Sequence, residues 1–356
     1  DIINLGIGEP DFKTPDHIVE AAIKALRDGH HGYTHPLGII GLREAVAKDI
    51  KHFRGVSVDP AHILITPGGK PIMNFAITMF GEPGAEIIYP DPGFPVYGNL
   101  IAFSGARAIP MVLREENGFA FNADEVLALI SDKTRLIILN SPANPTGGVT
   151  PYGEMERLAE GLLAHRHVYV LSDEIYARML YGNHRHASAL AFEGIRDRVI
   201  LLDGWSKTYA MTGWRLGYSV WPEALIGFAE RLAINSHSCV NAPAQYAAIE
   251  ALEGPQNAVD DMVAAFDERR VLCTGLLNDL PGVSCAEPGG AFYTFPNIIK
   301  TGMSSLALQE KFLNDAGVAT IAGSSFGSAG EGYLRISYAN SLDNITKAID
   351  RMRSVL

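Results

Sequence analysis

Lys207 sits in the run Gly204-Trp205-Ser206-Lys207-Thr208-Tyr209-Ala210-Met211-Thr212-Gly213-Trp214-Arg215-Leu216-Gly217. A primary amine is set there among aromatic and small residues, with a guanidinium eight positions on. Such surroundings disfavour the ammonium, because removal from water costs the charged form most. A neutral amine is a nucleophile that condenses with aldehydes to a Schiff base. Arg215 can hold an anion attached to that aldehyde. Aldehyde, phosphate and electron sink coincide in pyridoxal phosphate, so this run reads as an anchor for that cofactor.

Other residues of suitable type come directly after short apolar runs. Gly68-Gly69-Lys70-Pro71 opens a helical stretch. It is either a plain tight turn or a phosphate cradle built from free amides. Asp173, in Ser172-Asp173-Glu174-Ile175-Tyr176, either caps a helix or keeps a pyridine nitrogen protonated. Tyr176 then either packs or donates to a ring oxygen. Asn144, in Asn144-Pro145-Thr146-Gly147, is a turn residue or a donor to a phenolate and a carboxylate. Phe94 anchors its loop or stacks on a flat heteroaromatic ring. Arg335 alternates with Tyr333 and Ser337 on a strand-like run. Its guanidinium is solvated or grips a carboxylate with two parallel hydrogen bonds.

These residues need a frame. Apolar runs at His62–Ile65, Glu86–Tyr89, Arg135–Leu139, Val168–Leu171 and Val199–Leu202 alternate with helical stretches at Lys70–Phe80, Asp124–Ile130 and Gly153–His165. Strands apolar on both faces suit a buried, mostly parallel sheet covered by helices, hence an α/β architecture. Ligands of such sheets gather beyond the carboxyl ends of the strands, where these polar residues fall. From about Val271 the pattern changes, and Tyr333–Tyr338 reads as a strand of a smaller α+β domain. The expected division is a large domain over residues 16–270 and a small one from residues 1–15 and 271–356.

Composition excludes several alternatives. The chain has 356 residues, 47% of them hydrophobic, enough for a large core and more than one domain. A net charge of -11 gives no bulk attraction to nucleic acid or to an anionic membrane. No apolar run approaches the roughly 20 residues needed to span a bilayer. Cys239, Cys273 and Cys285 form no CxxC pair, which predicts a reducing, cytoplasmic compartment rather than a disulfide framework. His30, His31, His35, His165, His167, His184 and His186 lack ligand spacing and read as solvated loop histidines. Asp1 is not a natural start, so an upstream segment is expected. P-loop and dinucleotide glycine spacings are both missing.

Taken in order, the segments Gly6-Ile7-Gly8-Glu9-Pro10-Asp11-Phe12, Tyr33-Thr34, Gly68-Gly69-Lys70, Asn144-Pro145-Thr146-Gly147, Ser172-Asp173-Glu174-Ile175-Tyr176, Ser206-Lys207 through Gly213-Trp214-Arg215, and Arg335-Ile336-Ser337-Tyr338 span almost the whole chain. The chain resembles the class I aminotransferases of fold type I, the pyridoxal-phosphate group that includes aspartate aminotransferase. The resemblance implies that Lys207 holds the cofactor as a Schiff base and that Asp173 pairs with its pyridine nitrogen. Tyr176 and Asn144 would contact the ring oxygen, and Phe94 would stack on the ring. Gly69, Lys70 and Arg215 would form the phosphate cup, the first two through backbone amides, and Gly68 and Ser206 would be further cofactor-binding residues. Arg335 would clamp the substrate α-carboxylate, assisted by Asn144 and the Gly8 backbone. Tyr33 would reach the neighbouring subunit's phosphate, which implies a homodimer with shared sites; Asn241 lies where a second loop crosses that interface.

The resemblance also marks two departures. Gly204 stands where many members place a phosphate-binding serine, and an upstream arm that embraces the partner is missing from these residues. The implied activity is ping-pong transfer of the amino group of an L-amino acid, of the aspartate or glutamate type, to a 2-oxo acid. A lyase or decarboxylase on the same scaffold, a cofactor-binding regulator and a nucleotide-dependent enzyme are the alternatives.

Overall fold

The computed structural model describes residues 1–356. Seven strands form its main sheet, in the spatial order Ile63–Thr66, Gly217–Val220, Val199–Gly204, Tyr169–Asp173, Thr134–Asn140, Glu86–Asp91, Arg107–Val112. Gly217–Val220 runs antiparallel to both neighbours, and every other pairing is parallel. The central strands are buried on both faces, as Val199, Ile200, Leu201 and Leu202 show. Their runs are therefore continuously apolar rather than alternating.

The expected helix Lys70–Phe80 is present with those bounds. The second, Ala123–Ala128, starts one residue earlier because Asn122 accepts a hydrogen bond from the Glu125 amide and caps it. The third runs from Tyr152 to Gly161 and tightens into a 3-10 turn at Leu162–Ala164. The last strand is Leu334–Ser337, inside the expected Tyr333–Tyr338.

A second group of buried residues lies apart from the main sheet. It surrounds a three-stranded antiparallel sheet, Ile321–Ala322, Leu334–Ser337 and Tyr293–Thr294. Ile3 and Leu5 belong to this cluster, and Ile3–Asn4 pairs with Val318–Ala319. The two chain ends thus meet. The helix Asn257–Asn278 crosses the division expected at residue 270. Its Val259 packs with the main-sheet cluster, while Met262, Phe266, Cys273 and Leu277 pack in the other. No helix is long and apolar enough to cross a membrane.

One strand reversal decides the site. Arg215 lies just before Gly217–Val220, the lone antiparallel strand. Its beginning therefore meets the carboxyl ends of the parallel strands. Gly217 pairs with both Thr66 and Gly204. Arg215 is thereby delivered to the rim that also carries Gly68 and Lys207.

Candidate active site

A cavity of about 560 Å³ opens at this rim. Gly8, Gly69, Lys70, Phe94, Asn144, Asp173, Tyr176, Ser206, Lys207, Arg215 and Arg335 all line it. Eleven residues singled out from sequence, from segments hundreds of positions apart, share one wall. Gly68 lies immediately behind it: a Cβ there would meet Arg215 Nη2 at 2.4 Å. With φ +86°, Gly68 also occupies the left-handed region that favours glycine. Arg215 itself has φ 56°, unusual for a residue with a side chain, and donates from Nη1 to the Thr212 carbonyl at 2.7 Å.

The Lys207 Nζ donates to the Gly8 carbonyl at 2.6 Å. Burial holds its ammonium down to about 8; Arg335 and Arg215 add to the depression and Glu9 opposes it. The neutral amine is thus a minor but far larger fraction near neutral pH than in a free lysine.

Asp173 is 2% exposed at the end of its strand. Its carboxylate accepts from the Tyr97 hydroxyl at 2.6 Å and from the Ile175 amide at 3.2 Å, and has no cationic partner. Burial pushes the carboxyl up to about 7, against those two hydrogen bonds, with Asp203 and Glu174 adding to the rise. A buried carboxylate of this kind is completed by a proton or by a cationic donor.

Arg335 presents the opposite case. Its guanidinium lies between the rings of Tyr293 and Phe326, 4.6 and 4.8 Å from their centroids. It donates to neutral oxygens, Asn144 Oδ1 at 3.0 Å and the Gly6 carbonyl at 2.5 Å. Its buried Nε has no acceptor. A carboxylate in the cavity would satisfy both the charge and the fork.

The helix Lys70–Phe80 starts at Gly69 with no side-chain cap and carries Pro71 in its first turn. Its leading amides face the same rim as Arg215, an arrangement suited to a phosphate. Gly217 permits this packing, since a Cβ there would meet the Gly68 carbonyl carbon at 2.7 Å. At Gly204 a Cβ would meet Gly217 Cα and the Leu216 carbonyl, both at 2.9 Å. A serine at this position would need that backbone to move.

Tyr33 lies elsewhere. It is 94% exposed and lines a separate surface groove with Cys239, Asn241 and Pro243. Asn241 caps the helix Ala242–Glu253 through Ala244. The side chain of His186, expected to be solvated, is instead only 7% exposed, and its Nε2 lies 2.6 Å from Glu174 Oε2.

Tyr97, Asn140, Tyr293 and Glu9 also line the cavity and were not anticipated. Tyr97 lies one helical turn after Phe94, a spacing that places both near one face. Asn140 ends a strand; it donates to the Asp173 carbonyl at 3.1 Å and accepts from the Asn144 amide at 3.0 Å. The Tyr293 hydroxyl lies 2.8 Å from that of Tyr176. Only a strand-end position or a helical offset marks these residues in the sequence.

The family model for aminotransferase class I and II matches residues 1–352. An aspartate aminotransferase of Pyrococcus abyssi is 38% identical, covering 100% of this chain and 92% of that protein. An aromatic-amino-acid aminotransferase of Thermococcus litoralis is 39% identical, with coverage of 100% and 92%. The solved aromatic aminotransferase from Pyrococcus horikoshii superposes with a TM-score of 0.97 at 39% identity, covering 100% of this chain and 95% of that one. The shared fold, the full-length match and the cavity agree: the chain belongs to the class I and II aminotransferases and is a transaminase.

Proposed function

We propose that this transaminase holds pyridoxal 5'-phosphate in the cavity and moves the amino group of an L-amino acid, of the aspartate or glutamate type, to a 2-oxo acid. The observation that carries the reading is one cavity lined by three complementary groups. They are an amine held down to about 8 at Lys207, an unpaired buried carboxylate at Asp173 and an unpaired buried guanidinium at Arg335. When bound, the cofactor supplies an aldehyde for the amine and a ring that draws electrons from the substrate α-carbon.

The residues divide the remaining work. Asp173 would keep the ring nitrogen protonated. Phe94 would stack on the ring, and Tyr176 and Asn144 would hold its oxygen. Gly69, Lys70 and Arg215 would hold the phosphate, the first two through backbone amides, with Ser206 lining the same cavity and Gly68, whose amide donates to the Thr66 carbonyl at 2.8 Å, backing it. Arg335, Asn144 and the Gly8 backbone would orient the substrate. Lys207, the amine that would hold the cofactor aldehyde, would also be the base that takes and returns the substrate α-proton. The Lys70 ammonium, exposed at the rim, remains to meet a distal carboxylate.

Tyr33 belongs, in this reading, to the site of a second subunit; its exposure supports a homodimer. Three free cysteines support a cytoplasmic setting. The separate buried cluster around Leu5, Phe292 and Ile336 supports a small domain made from both chain ends.

Amino donors tested in turn against 2-oxoglutarate and pyruvate decide the substrate, and borohydride trapping with mass spectrometry locates the adduct. Fastest turnover with aspartate or glutamate and an adduct on Lys207 is expected. An adduct on another lysine overturns the mechanism. Aromatic donors are the second reading, favoured by the names of the relatives at 39% identity.

A further inference from the structure

Behind the wall that carries Asp173 lies a buried cluster of charges. Successive side chains alternate across a strand end, so Asp173 faces the cavity while Glu174 faces away from it. Glu174 Oε1 accepts from Ser172 Oγ at 2.9 Å, Ser188 Oγ at 2.8 Å and the Ala189 amide at 3.3 Å. Its Oε2 is shared by Arg54 Nε at 2.8 Å and His186 Nε2 at 2.6 Å. Arg54 ends the helix Ile40–Arg54, and its side chain is 1% exposed. From Nη2 it reaches Asp203 Oδ2 at 2.5 Å. Asp203 also accepts from the Tyr218 hydroxyl at 3.1 Å and, through Oδ1, from the Gly204 amide at 2.7 Å.

The topology makes this more than a local ion pair. Glu174 comes directly after Asp173. Asp203 directly precedes the Gly204–Lys207 turn. The two strands are neighbours, with Asp173 opposite Leu202, and the Glu174 amide donates to the Leu202 carbonyl at 2.8 Å. One guanidinium therefore bridges the carboxylate that follows Asp173 and the one that precedes the turn carrying Lys207. Its planar fork is suited to this, since its donors have fixed directions. The other charged or titratable groups around it include His186, Tyr218, Tyr209 and the Arg178–Asp49 ion pair.

We propose that Arg54 is a positioning residue of the transamination site: by holding Glu174 and Asp203 together, it ties the strand end that presents Asp173 to the one that leads into Lys207 and balances their buried charge. The inference rests on the cofactor reading given above. Electrostatic contact between cluster and cavity is direct, since Asp203 and Glu174 both push the Asp173 carboxyl up. Glu174 itself, though burial acts to raise it, is held down to about 2 by His186 and Arg54. Removing the cation would leave two buried carboxylates beside the site with only His186 to offset them.

The test uses the pyridoxal-phosphate-loaded enzyme and tracks the pH midpoint of the cofactor's visible band. Arg54→Met removes a cation, favours the protonated form and is expected to raise the midpoint by about one pH unit. Asp203→Asn removes an anion and is expected to lower it by a similar amount. The kcat of Arg54→Met should fall more than its KM rises. A purely structural brace would shift both midpoints in one direction or neither, with only thermal stability falling; that outcome overturns the proposal. If Arg54→Met does not fold, Asp203→Asn and Glu174→Gln decide: both must lower the midpoint, and an unchanged or raised value in either rejects the role. If the wild-type enzyme itself shows no cofactor band arising from Lys207, the failure belongs to the cofactor reading instead.

Discussion

The phenol of Tyr97 donates a 2.6 Å hydrogen bond to Oδ2 of Asp173, both side chains being buried. This bond opposes the rise that burial imposes on the Asp173 carboxyl. It therefore favours the ionised form that a protonated ring nitrogen needs. Hydrogen bonds to charged groups contribute about 1.5–3 kcal/mol. Tyr97→Phe is accordingly expected to weaken cofactor binding about 10- to 100-fold, measured by spectrophotometric titration. Unchanged affinity would remove Tyr97 from the site.

The two shifted groups set opposite pH slopes in the cofactor-free protein. The Asp173 carboxyl is raised by burial from 3.8 to about 7. Between these values the native state binds the extra proton, so stability falls as pH rises from about 4 to 7. The Lys207 ammonium is lowered by burial from 10.5 to about 8. There the unfolded chain binds the extra proton, so stability rises from pH 8 towards 10.5. Each effect amounts to about 3–4 kcal/mol at full shift. Urea unfolding across pH should show Asp173→Asn flattening the first slope, to which the raised Asp203 carboxyl also contributes, and Lys207→Met losing the second.

In the proposed reading, Arg335 recognises a carboxylate through a fork already half-occupied by Asn144 and Gly6. Arg335→Lys keeps the charge but not the fork. It should raise KM for α-amino acids by roughly 30-fold or more, from about 2 kcal/mol or more of lost pairing. Reaction with simple amines lacking the carboxylate should be unaffected. Equal losses for both classes would mean that the residue acts through structure alone.

Gly68 packs directly on the Arg215 guanidinium. Gly68→Ala combines a positive φ with a Cβ placed 2.4 Å from Arg215 Nη2. Destabilisation of about 1–2 kcal/mol is expected from the backbone alone. Displacement of Arg215 should also weaken retention of the cofactor through its phosphate, so dialysis should release it faster than from wild type. Wild-type retention would show that Arg215 does not hold the phosphate.

Much of the frame was legible in the chain itself. Parallel strands buried on both faces appear as unbroken apolar runs, and the residues at their carboxyl ends reach the ligand rim. Lys207, Asp173, Asn144 and the Gly68-Gly69-Lys70 turn all stand at such ends. The helix Lys70–Phe80 was readable to the residue, since Gly69 and Pro71 punctuate its start. The small sheet was less clear because its outer strands are only two residues long, too short to show a period.

The amino-acid order by itself determined which groups are available and which ends of which strands present them. Only the tertiary structure decided what each buried group meets. Tyr97 finds Asp173 across 76 positions, Tyr293 finds Tyr176 across 117, and Arg54 finds Asp203 across 149. Periodicity carries no information about such pairs, because it records which face is buried and not which distant side chain shares the space. The desolvation that shifts Lys207 and Asp173 has the same origin: it arises only once separate segments close around them and exclude water.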